Sequence, residues 1–234
     1  MSGSLAWPPV PPRVIDFHLH TIFSDGQLAP AELGRRAFVK GYSVMGLSDH
    51  VDQSNLEWAL ERALLAAGAL SGEIGLEPGV EGLKLLPSVE LTHVPPPRIA
   101  LMTARARELG AAYVVVHGES PVEPVCPGTN RAAILAKADI LAHPGFLTPE
   151  EVDLAAQNGV RLELSARGGH NMANGLVAGL ARRYGAQLLV NSDAHSPNDL
   201  LTPEIQMRVA LGAGLSPDEY LEMMAGAAAW AATL

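Results

Sequence analysis

The chain of 234 residues contains a single cysteine, Cys126. One cysteine can close no disulfide within the chain and supplies no thiolate cluster for zinc. A metal bound by this protein would therefore need imidazole and carboxylate ligands. Eight His and 25 Asp plus Glu provide them.

Positive charge is also scarce, because the 16 Lys and Arg leave a formal net charge of −9. These residues are scattered along the chain, which argues against extended nucleic-acid binding. The most apolar tail, residues 225–234, is far shorter than the roughly 20 residues of a membrane helix, and no signal peptide is evident at the start. We therefore expect a cytoplasmic protein with no membrane partner, and the oligomeric state is left open.

Short apolar runs alternate with longer amphipathic ones along the whole chain. Each short run has the length of a buried strand, and each longer run has the period of a helix. The predicted strands are residues 14–17, 44–47, 85–89, 113–116, 140–142, 161–164 and 188–190. The predicted helices are residues 30–40, 56–70, 97–109, 129–137, 149–157, 173–184, 203–211 and 217–229.

This alternation predicts an α/β protein with a parallel sheet, either open or closed into a barrel. No Gly-x-Gly-x-x-Gly follows the first strand and no Walker-type loop is found, so the usual signals of an open nucleotide-binding sheet are missing. We expect a single domain over residues 14–234, preceded by a Pro-rich arm over residues 1–13.

Polar side chains concentrate immediately after the predicted strands. Carboxyl ends of parallel barrel strands open on one face, so residues distant in sequence should converge there. Many buried titratable groups would be costly without a partner that neutralises them. The candidate ligands for metal are His18, His20, Asp25, His50, Glu90, His117, His143, Asp193 and His195.

Several imidazoles mixed with carboxylates suit zinc, iron or manganese. Nine candidates exceed the four or so ligands of one zinc ion, so we expect two or three divalent transition metals with at least one bridging carboxylate. Closely spaced metals favour hydrolysis of phosphate esters, because they activate a water and neutralise developing charge. His93, beside three prolines, is expected to be a surface residue. Asp49 is expected to cap a helix or to orient an imidazole rather than to bind metal directly.

These residues resemble the motifs of the PHP family, named for its polymerase and histidinol phosphatase members. The resemblance extends from residue 16 to residue 195, in the family's order. The matching segments are Asp16-Phe17-His18-Leu19-His20-Thr21, Ser24-Asp25-Gly26, Leu47-Ser48-Asp49-His50, Ser88-Val89-Glu90, Val116-His117-Gly118, Ala142-His143-Pro144-Gly145 and Asn191-Ser192-Asp193-Ala194-His195.

The resemblance implies a distorted TIM-like (β/α)7 barrel with a trinuclear metal site. By matching motif, one metal would be held by His18, His20, Glu90 and Asp193. A second would be held by Glu90, His117 and His143, and a third by Asp25, His50 and His195. Some family members have His at the position of Asp25, so the third metal could differ in affinity or identity.

The substrate side is expected after the sixth predicted strand. Arg167 offers a planar fork for phosphate, and His170 could protonate a leaving oxygen or line the pocket. We assign catalytic roles to Asp193, His195 and His170, and phosphate binding to Arg167 and His170. Glu119 is a candidate for orienting a water or ligand, or is a solvated loop residue.

The leading hypothesis is a metal-dependent phosphatase of a small phosphate ester, either histidinol-phosphate-like or nucleotide-type, with a metal-bound hydroxide as nucleophile. Its partner would be a small phosphorylated substrate. The alternative is an exonuclease or accessory PHP protein that processes nucleic acids at terminal nucleotides. An amidohydrolase is a poor fit. That family commonly bridges its metals with a modified lysine after the fourth strand, and none of Lys40, Lys84 and Lys137 lies at a predicted strand end.

Overall fold

A computed structural model of the protein describes residues 12–75 and 82–234. Almost all of the expected Pro-rich arm, residues 1–13, lies outside this range. The sequence also predicts a long Gly- and Pro-rich loop over residues 71–82, which the structure describes only at residues 71–75 and 82. The expected single-domain barrel is confirmed in the described residues.

The strands and helices alternate as the periodicity predicts. The strands are β1 (Val14–Asp16), β2 (Tyr42–Leu47), β3 (His50–Val51), β4 (Lys84–Leu91), β5 (Tyr113–His117), β6 (Ile140–Ala142), β7 (Arg161–Ser165) and β8 (Leu188–Asn191). The α-helices are α1 (Pro30–Val39), α2 (Leu56–Leu70), α3 (Pro96–Glu108), α4 (Thr129–Leu135), α5 (Pro149–Asn158), α6 (Asn174–Tyr184), α7 (Pro203–Gly212) and α8 (Pro217–Ala231).

The sheet is parallel throughout, in the order β1-β2-β4-β5-β6-β7-β8. Leu19 and Ala194, just beyond β1 and β8, form an isolated parallel bridge that nearly closes the barrel. Because every strand runs in the same direction, all carboxyl ends open on one face. The (β/α)7 barrel is therefore confirmed, with β3 as a small addition.

The barrel is distorted where β2 meets β4. The lower part of β4 pairs with β2 as far as Leu47 and Pro87, and its upper part pairs with β3, where His50 lies opposite Glu90. Ser48 and Asp49 interrupt the ladder between these two pairings. The interruption separates a two-residue strand that periodicity did not predict and brings His50 to the open face.

Helix ends follow local capping chemistry. Thr148 and Ser216 form capping boxes with Glu151 and Glu219, at the starts of α5 and α8, each followed by proline. Helix α6 begins later than predicted, because residues 170–173 form a 3₁₀ helix. That short helix fixes His170 directly behind the carboxyl end of β7.

The opposite end of the barrel is packed by α8. Trp230 of this helix contacts the rings of Phe17 and Tyr113, with centroids 4.6 and 5.5 Å apart. The guanidinium of Arg161, at the start of β7, lies 3.7 Å from the centroid of the Trp230 ring. This end is therefore filled by side chains, which leaves the carboxyl-terminal face as the accessible one.

Among the described residues, no helix is long and apolar enough to cross a membrane.

Candidate metal centre

The open face gathers the nine predicted ligands from the barrel strands and the loops after them. His18, His20, Glu90, His117, His143 and Asp193 are buried, His50 and His195 are partly buried, and Asp25 is exposed. Their donor atoms form overlapping groups within 4.8 Å of one another.

The first group joins β1 to β4 and β8. Nε2 of His18 lies 3.2 Å from Oε1 of Glu90, and Nε2 of His20 lies 3.2 Å from Oδ1 of Asp193. His18, His20 and Glu90 together could hold one ion. Because His18 and His20 are two residues apart in an extended segment, their imidazoles lie on the same side of the chain.

The second group consists of Glu90, His117 and His143. Nε2 of His143 lies 3.7 Å from Oε1 of Glu90, so this carboxylate faces the first and second groups. Nδ1 of His117 is 3.1 Å from the carbonyl of Gly118 and can donate to it, which leaves Nε2 as the free donor atom for an ion.

The third group is the most accessible one. Oδ1 of Asp25 lies 3.2 Å from Nε2 of His195 and 3.5 Å from Nε2 of His50. His20 belongs to this group as well as to the first. Asp25 is held there by its loop, because Asp49 accepts hydrogen bonds from the backbone and hydroxyl of Thr21 and from the hydroxyl of Ser24.

Several buried donor atoms in these groups have no hydrogen-bond partner among the described residues. They include Nε2 of His18, both ring nitrogens of His20, Oε1 of Glu90 and Nδ1 of His143. Leaving buried polar atoms unpaired costs about 1–3 kcal/mol each. Divalent cations would satisfy such a set, so the residues present fit the metals that the motifs imply.

Burial and neighbouring charge set the protonation of the centre. Burial, together with nearby imidazoles, holds the pKa of His20 and His143 well below the usual range, which favours the neutral form that binds metals. Burial raises the pKa of Asp193 to about 7, against the opposing effect of His18. Burial would also raise the pKa of Glu90, but His18 and His50 lower it well below its usual range.

Two of the predicted ligands have left-handed backbone conformations. His143 has φ of 27° and Asp193 has φ of 53°, and each directly follows or lies close to the end of a strand. Non-glycine residues in sparsely populated regions cost about 1–3 kcal/mol each and cluster at functional sites. The fold therefore holds these two residues in unfavourable backbone conformations that set the direction of their side chains.

Glu163, in the middle of β7, is a residue of the candidate site that the sequence reasoning missed. Its Oε2 lies 2.8 Å from Nδ1 of His18 and accepts a hydrogen bond from Nδ2 of Asn191. Its Oε1 accepts from the backbone amide of His143. The available signal was a carboxylate within the otherwise apolar run Leu162-Glu163-Leu164.

The two predicted substrate residues lie beside this centre. Arg167 donates to the carbonyl of Asp193 at 3.1 Å, and its guanidinium lies 2.7 Å from Nδ1 of His195. His170 is buried, with its ring centroid 4.3 Å from that of His143. Arg167 thus contacts the loop that carries two predicted ligands.

The loop between β5 and α4 contributes two further carboxylates. Oε1 of Glu119 accepts hydrogen bonds from the amides of Gly128 and Asn130, so Glu119 anchors the start of α4. Glu123 faces the imidazoles of His93, His117 and His170. Its hydrogen bond with His117 lowers the pKa of Glu123 to about 2. Sequence reasoning missed Glu123, and His93 is exposed, as expected of a surface residue.

Fold and site define a (β/α)7 barrel with a histidine and carboxylate cluster on its carboxyl-terminal face. The chain belongs to the same family as the uncharacterized protein MJ1295 of Methanocaldococcus jannaschii. The two are 44% identical over 205 residues, which cover 87% of this chain and 91% of that protein. No family model matches the chain.

More distant relatives carry functional names. Ribonuclease P protein component 3 of Methanosarcina mazei is 29% identical over 229 residues, covering 91% of this chain and 86% of that protein. DNA polymerase/3′-5′ exonuclease PolX of Bacillus subtilis is 24% identical over 194 residues, covering 77% of this chain but only 34% of PolX. A chain from archaeal ribonuclease P with mature tRNA has a similar fold, with a TM-score of 0.62, 15% identity, and coverage of 90% of this chain and 89% of that one.

These relatives contradict two expectations from the sequence. The leading hypothesis of a small-ester, histidinol-phosphate-like phosphatase is wrong, because the named relatives belong to nucleic-acid processing. The expectation of a small phosphorylated partner, with extended nucleic-acid binding not expected, is wrong as well. Net charge is a poor guide to such binding because it sums the whole surface, whereas a nucleic acid contacts one face of a protein. Four of the acidic side chains, Asp25, Glu90, Glu163 and Asp193, belong to the candidate metal groups.

Proposed function

We propose that this protein is a PHP-type, metal-dependent hydrolase that processes nucleic acids by cleaving phosphodiester bonds near a chain terminus. The proposed centre uses two or three zinc, iron or manganese ions. The proposed ligand sets are His18, His20, Glu90 and Asp193; Glu90, His117 and His143; and Asp25, His50 and His195.

The observation that carries this proposal is the complete set of nine donor residues on one barrel face. Six of them are buried, and their donor atoms lie within 4.8 Å of one another in overlapping groups. A purely structural role for so many buried titratable groups would leave unpaired donor atoms. Relatives named as a ribonuclease P component and an exonuclease support a nucleic acid as the substrate.

Bound cations would neutralise the charge of a phosphodiester and lower the pKa of a coordinated water. The protein's own side chains would orient the ligands and transfer the proton. Glu163 orients the ring of His18, and Arg167 holds the backbone of Asp193. His170, buried beside the centre with its pKa lowered by burial, is placed to hold or release a proton at the leaving oxygen.

Apolar side chains at the rim support binding of unstacked bases. Val122, Phe146 and Met172 are 50%, 70% and 69% exposed; Val122 and Phe146 lie on the loops after β5 and β6, and Met172 lies on the 3₁₀ helix after β7. Phe146 offers an aromatic ring for base stacking, which contributes about 1–3 kcal/mol per base, and Val122 and Met172 add apolar surface.

The test is hydrolysis of single-stranded RNA and DNA oligonucleotides carrying either a 5′-phosphate or a free end, in the presence of Mn²⁺ or Zn²⁺. We expect terminal nucleotides to be released by the wild type and not by Asp193→Asn. The Glu61→Gln variant, altered on an exposed part of α2, should retain full activity. Equal activity of wild type and Asp193→Asn would contradict the proposal.

A second candidate is a protein subunit of a ribonuclease P-like particle. It is favoured by the similarity to ribonuclease P protein component 3, which extends over nearly the full length of both chains. The two candidates differ in whether cleavage requires a catalytic RNA. A subunit would raise cleavage of precursor tRNA only when a catalytic RNA and the other protein subunits are present. A hydrolase would cleave oligonucleotides alone.

Salt dependence of binding separates the two candidates further. Binding to a single strand loses affinity with a slope of about −0.7 per phosphate contacted in a plot of log affinity against log salt. A hydrolase that contacts the one or two phosphates of a terminal nucleotide should therefore show a slope between about −0.7 and −1.4. A subunit spread over a folded RNA should show a much steeper slope.

A further inference from the structure

Glu123 has an unusual environment for a loop carboxylate. Its Oε2 lies 3.0 Å from Nε2 of His117 and 3.7 Å from Nε2 of His93. Its Oε1 lies 3.3 Å from Nε2 of His170. The three imidazoles follow or end β4, β5 and β7, so three neighbouring parts of the barrel rim converge on one anionic group.

The loop itself holds this carboxylate only weakly. Glu119, four residues earlier, accepts two backbone hydrogen bonds at the start of α4. The Glu123 side chain, in contrast, is 36% exposed, and the three imidazoles are its polar partners among the described residues. The loop therefore places the Glu123 carboxylate among three imidazoles that other parts of the barrel contribute.

That place lies on the open side of the second candidate metal group. Nε2 of His117, which would hold an ion with Glu90 and His143, is the atom that faces Glu123. An ion held there would strengthen the attraction for an anion at the same position. His93 and His170 flank the position and belong to neither ligand set of our proposed first and second ions.

We propose that His93 and His170, together with the centre at His117, form a binding position for a phosphate group of the substrate, and that Glu123 fills this position until the substrate displaces it. Phosphate fits because its several acceptor oxygens can accept from the imidazoles of His93 and His170 and face an ion held at Nε2 of His117, the three positions that the carboxylate oxygens of Glu123 now face. The loop between β5 and α4 then carries a built-in competitor for the substrate. The inference rests on the proposed function only in naming a phosphate as the ligand.

The test measures binding without turnover. The dissociation constant of inorganic phosphate is determined by isothermal titration calorimetry on the full chain, with Mn²⁺ added and after removal of metal by a chelator. If Glu123 fills the position in about 90% of molecules, Glu123→Gln should bind phosphate about tenfold more tightly. Glu61→Gln, which removes the same charge from an exposed part of α2, should bind as the wild type does.

A second variant probes the position directly. His93→Gln leaves every proposed metal ligand in place, so the number of bound Mn²⁺ ions should stay the same. Phosphate binding should weaken by about fivefold or more, in line with loss of one hydrogen bond to a charged group. Unchanged phosphate binding in His93→Gln would show that His93 does not contact the phosphate, and would contradict the proposed binding position.

Two results for Glu123→Gln would overturn the inference. Unchanged or weaker phosphate binding would mean that the carboxylate does not compete. Loss of a bound ion would mean that Glu123 is a permanent metal ligand instead. Neither result concerns the cleavage of oligonucleotides, so a failure of the hydrolase proposal is detected separately.

Discussion

Oε2 of Glu163 lies 2.8 Å from Nδ1 of His18, and both side chains are fully buried. A carboxylate at Nδ1 holds a proton on that nitrogen, so that Nε2, which lies 3.2 Å from Oε1 of Glu90, is the atom that would bind an ion. It also makes the ring a stronger ligand. The same Glu163 reaches the backbone amide of His143 and thereby connects two candidate ligand groups.

Replacing Glu163 by Gln should weaken metal binding while preserving the barrel. The amide has a similar shape but lacks the negative charge that stabilises the orientation of His18. Loss of such an orienting partner typically costs 10- to 100-fold in metal affinity. Calorimetric titration with Zn²⁺ or Mn²⁺ measures the effect. An affinity equal to that of the wild type, with unaltered circular dichroism, would show that Glu163 does not orient the ligand.

Removing metal should lower the stability of the protein. An ion present at about 100 times its dissociation constant stabilises the folded state by about 2.7 kcal/mol. We therefore expect the melting temperature to fall on addition of a chelator and to recover when Mn²⁺ is restored. The variant His143→Ala should bind fewer ions by elemental analysis and show a smaller shift. A melting temperature indifferent to the chelator would argue that the nine residues hold no ion.

Gly46, inside β2, tests the packing of the barrel interior. A Cβ there would overlap the Tyr113 hydroxyl and lie 2.7 Å from the carbonyl oxygen of Phe17. Because Tyr113 donates a 2.6 Å hydrogen bond to that carbonyl, neither group can move freely. Gly46→Ala should reduce the free energy of unfolding by about 3 kcal/mol.

Gly68, on the exposed side of α2, provides the matched control. No atom lies within 4 Å of a Cβ added at this position. Gly68→Ala should raise the free energy of unfolding by about 0.5–1 kcal/mol, because alanine favours the helix. Urea unfolding of both variants would measure the two effects, and a similar change in both would refute the packing argument.

The pair Arg182 and Glu219 predicts a dependence of stability on pH. A hydrogen bond from Arg182 lowers the pKa of Glu219 to about 2, from an ordinary value of 4.5. A lowered pKa of an acid stabilises the fold above its unfolded value, and this stabilisation is lost as pH falls from about 4.5 towards 2. Because the pair is exposed and screened by solvent, its contribution to stability should be small.

Urea unfolding of Glu219→Gln and wild type at pH 7 and at pH 3 measures this dependence. The wild type should be the more stable protein at pH 7, and the difference should shrink at pH 3. Glu222→Gln, on the same helix, should change little at either pH. A difference that grows on acidification would have the wrong sign for this mechanism.

Periodicity predicted the barrel because its physical basis is local. Each buried strand is a short apolar run, and several helices begin with a capping residue or proline, as Thr148 and Pro149 illustrate. The strand β3 escaped prediction because two residues carry no period. It exists only because His50 and Val51 find partners in Glu90 and Leu91 across the sheet.

The candidate ligands could be predicted from the sequence because the carboxyl ends of parallel strands meet on one face of the barrel. The residues that surround the ligands could not be predicted in this way. Glu163 is separated from His18 by 145 positions, and nothing in the local pattern joins the two. Glu123 and His93 meet His117 only because irregular loops fold back over the rim. Their positions depend on backbone conformations such as the φ of 52° at His93, which the sequence does not specify.

The bridge between Leu19 and Ala194 is an isolated one, whereas the other strands of the barrel pair through ladders. His18 and His20 lie on one side of this junction, and Asp193 and His195 lie on the other. An ion shared by these side chains would add a further crosslink to a seam that is closed by the bridge and by hydrogen bonds such as those from the Phe17 amide to Asn191 and from the Ser192 amide to Asp16. Ion binding would then stabilise the closed barrel, and loss of the ions would weaken this junction before the laddered ones.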